Sequence, residues 1–105
     1  SNAATIANGT PLTNTDTLEA ADANKWITFN NADAKNITIP KNVFAAGDCI
    51  FIEQIGAGAF TLVAEDGSIV VNGNKKSGGQ YNAVGIYFRD ATTNANICTV
   101  IGGIA

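Results

Sequence analysis

Apolar and polar positions alternate along most of this chain with a period of two. In Lys25-Trp26-Ile27-Thr28-Phe29-Asn30, Ile27 and Phe29 share one face and Thr28 takes the other, with Trp26 at an edge. The pattern returns in Asn36-Ile37-Thr38-Ile39 and stops at Pro40, which has no N–H to give a ladder. Further runs cover Cys49–Ile55, Phe60–Ala64, Ser68–Val71, Ala83–Arg89 and Ile97–Ile101. They are rich in Ile, Val, Phe, Tyr and Thr, side chains that pack well on a pleated surface.

The stretches between these runs, such as NNADAK, EDG, GNKKSGGQ and DATTNAN, have turn compositions. The spacing predicts an all-β domain, a small β-sandwich or barrel of about seven short, mostly antiparallel strands. The one helix predicted is a turn or two within Thr17–Asn24, capped by Asp16 or Thr17 with Glu19 in its first turn. No repeat of fixed period is apparent in the strand–turn–strand units.

The stretch Gly56-Ala57-Gly58-Ala59 poses a specific question, because glycine-rich loops also cradle phosphates. A phosphate loop runs from a strand into a helix N-terminus, where free N–H groups face the anion. Here Phe60-Thr61-Leu62-Val63 follows, which is a strand, and no Lys-Ser/Thr pair is present. The glycines are therefore assigned to a hairpin turn, supplying positive φ. Asp66-Gly67 reads as a second turn.

Composition narrows the functional classes. At 105 residues the chain holds one domain. Ser1-Asn2-Ala3 reads as the remnant of a cleaved tag, residues 4–16 as a Thr/Asn-rich linker or extended arm, and residues 17–105 as a single β domain. Charged residues make up only 14%, against a usual value of about 25%. Thirteen Asn and eleven Gly fill part of that gap, leaving a neutral-polar surface that suits subunit packing better than a free monomer. Net charge is −3 and the six basic residues are scattered, so nucleic acid is not expected as a partner. No apolar run approaches 18 residues, so no helical membrane span is expected.

Candidate chemistry is sparse. Histidine is absent, which removes the commonest general base and the usual zinc ligand. The carboxylates Glu65 and Asp66 sit on a predicted turn and should be solvated, while Glu53 lies in an apolar strand facing Asp48 or a lysine. Neither arrangement suggests an acid–base pair in a cleft, and the acidic residues lack the spacing of a calcium loop. No enzymatic activity, metal or cofactor is expected. Cys49 and Cys98 lie far apart inside apolar runs and read as buried free thiols, although a disulfide between them would point to a bacterial surface adhesion module. Trp26, Tyr81 and Tyr87 are the candidates for a sugar-stacking platform, as in a carbohydrate-binding module. The polar loops Asn72–Gln80, with Lys75 and Lys76, and Asp90–Asn96 are the candidates for contact with an anionic host-surface glycan.

Several stretches in order carry a resemblance. They are Trp26-Ile-Thr-Phe29, Ile37-Thr-Ile-Pro40, Phe44 with Gly47, Ile52-Glu-Gln-Ile-Gly-Ala-Gly58 and Gly79-Gln-Tyr81. Across residues 17–105 the chain resembles a small β-rich domain of tailed-phage and prophage virion proteins, found in tail-fibre and tail-associated chains. Its last strand, Ile97 to Gly103, lacks the Trp and the acidic "GD" of those domains. The resemblance implies a non-enzymatic virion structural module, assembled in the bacterial cytoplasm with other virion proteins. It also implies a homotrimer and a possible role in host attachment, and it carries over no catalytic residue.

Overall fold

The computed structural model describes residues 5–65, 69–70, 72–73, 75–91 and 96–105. Their β-strands are β1 (Ala7–Asn8), β2 (Asp16–Thr17), β3 (Lys25–Phe29), β4 (Lys35–Ile39), β5 (Cys49–Gln54), β6 (Phe60–Ala64), β7 (Ile69–Val70), β8 (Ala83–Ala91) and β9 (Asn96–Gly102). The seven strands expected from alternation are all present within a residue or two of their bounds. Two more, β1 and β2, come from the Thr/Asn-rich arm. The expected helix is a single 3₁₀ turn over Ala20–Asp22, started by the Asp22 carboxylate accepting the Glu19 N–H at 2.7 Å.

Two sheets form, and neither closes into a barrel. One has six strands in the order β1-β3-β5-β8-β9-β7, the other three in the order β2-β4-β6. The pairing corrects the antiparallel expectation. β1, β3 and β5 run parallel in the first sheet, and β2, β4 and β6 run parallel in the second. β7 and β9 also run parallel, while among the described strand pairs β5–β8 and β8–β9 are antiparallel. Parallel neighbours need a crossover. Here the chain makes it by passing from one sheet to the other through a short arch and then returning.

The result is a stack of three rungs, β1–β2, β3–β4 and β5–β6, with the connectivity of a short parallel solenoid. The offset between the second and third rungs is 25 residues in both sheets, Trp26 lying beside Phe51 and Lys35 beside Phe60. Between the first and second rungs Ala7 lies beside Lys25 and Asp16 beside Ile37, so the spacing is not fixed along the stack, in keeping with the lack of a repeat in sequence. Some paired residues share chemistry, as Ile27 with Ile52 and Ile37 with Leu62 do, and others such as Thr28 with Glu53 do not.

The arches explain the glycines. The turn after β5 lies directly on the turn after β3, with the Gly58 N–H donating to the Asn31 carbonyl at 2.8 Å and Lys35 N–H to Ala59 at 3.1 Å. A Cβ on Gly58 would sit on the Asp33 carbonyl, and one on Gly56 on that of Asn31. Neither glycine has positive φ. The expected hairpin is thus an arch between sheets, and its glycines serve close backbone approach. The turn expected at Asp66-Gly67 lies outside the described residues.

The core sits between the sheets. Ile27, Phe29, Ile50, Ile52, Val84, Ile86, Phe88 and Val100 point inward from the large sheet, and Ile37, Ile39, Phe60 and Leu62 from the small one. Phe29 meets Phe60 across the gap edge-to-face at 5.6 Å. Leu12, Leu18 and Phe44 close the flanks. The overall 42 × 36 × 20 Å slab has the thickness of two sheets packed about 10 Å apart. Among the described residues, no helix is long and apolar enough to cross a membrane.

Candidate contact surface on the six-stranded sheet

Alternation that sends Ile50, Ile52 and Val84 inward sends their neighbours to the solvent side of the large sheet. Register then aligns them. Trp26 on β3 lies beside Phe51 on β5, Phe51 beside Gly85 on β8, and Gly85 beside Ile101 on β9. The row beside it holds Cys49, Tyr87 and Thr99. Strand β5 is thus apolar on both faces, which the run Ile50-Phe51-Ile52 already records.

Gly85 shapes this face. It supplies no side chain between Phe51 and Ile101, leaving a half-open recess of about 200 Å³ bordered by Cys49, Phe51, Gly85, Ile86, Tyr87 and Ile101. A Cβ at Gly85 would lie 3.3 Å from Ile101 Cγ1 and 3.4 Å from Phe51 Cε1, so both neighbours lean over the glycine. Ile101 is nevertheless 58% exposed and Tyr87 45%.

Trp26 lies on this face and not at an edge. Its ring stacks on Phe51, with centroids 5.8 Å apart and planes 18° from parallel. Its indole Nε1–H donates to Glu53 Oε1 at 3.1 Å, so Glu53 faces the indole in place of the expected Asp48 or lysine. Rings stacked in this way stand upright on the sheet and cover one another.

The other sequence candidates lie elsewhere. Tyr81 sits in the turn before β8 with φ +66°, its side chain 67% exposed. Its backbone N–H closes that turn on the Gln54 carbonyl at 2.6 Å. Lys75 and Lys76 belong to a segment lying along β6, in the small sheet. The Lys75 carbonyl accepts from Leu62 N–H and the Lys76 carbonyl from Ala105 N–H, each at 2.8 Å. The loop read as Asn72–Gln80 is thus partly a strand-like cover; its residue 74, like residues 92–95 of the second loop, lies outside the described set. Glu65 is not simply solvated, since its carboxylate accepts the Lys41 N–H at 2.7 Å.

The two cysteines are not bonded to each other. Cys49 lies on the solvent face of β5, whereas Cys98 is buried on the core face of β9, two strands away. Burial pushes the Cys98 thiol from 9.0 up to about 11, because a thiolate would lose its hydration there. Among the described residues, no cluster of three or more acidic or cysteine side chains could hold a metal ion.

Phe51, Gly85 and Ile101 are the members of this surface that sequence reasoning missed. The available signal was a glycine inside a strand pattern, which marks a close approach or a missing side chain. No family model, curated protein or solved structure matches this chain.

Proposed function

We propose that this protein is a non-enzymatic structural module of a tailed-phage or prophage virion, fibre- or tail-associated, that assembles as a homotrimer through the outer face of its large sheet. The observation that carries this reading is the in-register apolar row Trp26–Phe51–Gly85–Ile101 on the outer face, with Trp26 and Phe51 half-buried and Ile101 exposed. Copies of the same chain are its occupants. The broad side of the molecule, whose extents are 42 × 36 Å, has room for the ~800 Å² per partner of a stable interface. Low charge and the order of sequence motifs add support.

The carbohydrate-binding alternative draws less support. Trp26 is stacked on Phe51, and Tyr81 and the lysine pair lie away from it. A bacterial surface adhesion role loses the disulfide that would have favoured it.

Light scattering on a sizing column tests the proposal. A mass near three times 10.8 kDa is the expected result, and a monomer over the accessible concentration range overturns the assembly role.

A further inference from the structure

A parallel stack of rungs has open ends, and an open strand edge is a template for adding another chain. In the small sheet, β2 is the edge strand of the first rung. In a parallel pair, the N–H and C=O of one residue point to the same side, and the side alternates from residue to residue. Leu18 N–H donates inward to the Thr38 carbonyl at 3.0 Å. The N–H of Thr17 therefore points outward, away from the stack.

That donor, and the N–H of Thr15 in the bend before it, are each occupied by the side chain of the preceding residue. Thr15 N–H donates to Asn14 Oδ1 and Thr17 N–H to Asp16 Oδ1, each at 2.8 Å. On the large-sheet side of the same rung, Gly9 and Leu12 donate inward to Trp26 and Thr28, at 2.8 Å each. Between them Pro11 has no N–H to offer. The opposite edge of the small sheet is covered too. There β6 is bonded to residues 75–77, with Leu62 N–H donating to Lys75 at 2.8 Å and Ser77 N–H to Phe60 at 2.9 Å.

We infer that residues 11–17 are a built-in stop. They terminate the rung stack at its N-terminal end and prevent a second copy of this chain from adding to β2 edge to edge. Edge-to-edge contact between copies at the first rung is thereby blocked. The inference holds for a trimer and for a monomer, because it concerns growth beyond the parent species.

The test compares Asn14→Val/Asp16→Val with the parent by light scattering and thioflavin T fluorescence across a concentration series. The double variant is expected to form species at least twice the parent mass, growing with concentration. Asp16→Asn, which keeps an acceptor for Thr17 N–H but loses the charge, is expected to match the parent. A folded double variant of unchanged mass overturns the inference, and so does Asp16→Asn that associates like the valine pair. If the valine pair does not fold, Asn14→Ala, which removes one acceptor from an exposed residue, replaces it with the same two outcomes.

Discussion

Ser77 Oγ donates to Gln54 Oε1 at 2.7 Å in the interior of the protein, joining the last rung to the segment that covers it. Both side chains are buried, Gln54 to 1% exposure. Ser77 Oγ also accepts the Phe60 N–H at 3.0 Å, and the Gln54 amide donates to Gly56 and Ala57 carbonyls in the arch at 3.0 and 3.3 Å. One pair of side chains thus ties the β5–β6 arch to the C-terminal cover. Removing one member leaves a buried polar atom unpaired, the costlier way to lose a hydrogen bond. Ser77→Ala is expected to lower stability by about 1–3 kcal/mol, read as a lower urea midpoint with an unchanged slope.

The arches make a sharper prediction. Gly58 touches backbone, and a carbonyl cannot rotate aside as a side chain can. Gly58→Ala is expected to cost about 3 kcal/mol or more. Ala57→Ser, one residue away and exposed, is expected to stay within about 0.5 kcal/mol. Equal melting temperatures for the two variants would show that the arches do not need this contact.

Ile101 separates assembly from folding. Because it is largely exposed, Ile101→Lys is expected to leave the melting temperature of the isolated chain nearly unchanged. The same change places a charge at the exposed end of that apolar row and is expected to convert the proposed trimer to monomer on a sizing column. A trimer that survives the substitution would move the interface off this face.

Cys98 predicts a pH dependence with a definite sign. Its folded pKa, about 11, lies above the unfolded value of 9.0, so the folded state holds its proton more tightly. This contribution is fully present below pH 9.0 and is lost as pH rises toward 11. The loss is on the order of 2 kcal/mol. Urea midpoints of the parent and of Cys98→Ala, measured from pH 8 upward, should converge over that window. In the Ile101→Lys monomer one thiol, Cys49, is expected to react promptly with a disulfide reagent and the second only after denaturation.

Much of this molecule was legible in the alternation of its residues. Ile27 with Phe29, and Ile37 with Ile39, point inward because a pleated strand sends every second side chain to one face, whatever its partner. That local rule also placed the strands and excluded a phosphate loop at Gly56–Ala59. It could not say which strands pair or in which direction, because backbone ladders form between almost any sequences. The 25-residue offset hid for the same reason, since it sets Thr28 beside Glu53 and Lys35 beside Phe60. Two-residue strands such as β1 and β2 carry too little pattern to be seen alone. Tertiary structure alone decided the parallel stacking, and with it the row from Trp26 to Ile101. That row requires side chains from four strands to reach one line, and only the hydrogen-bond register between strands controls this.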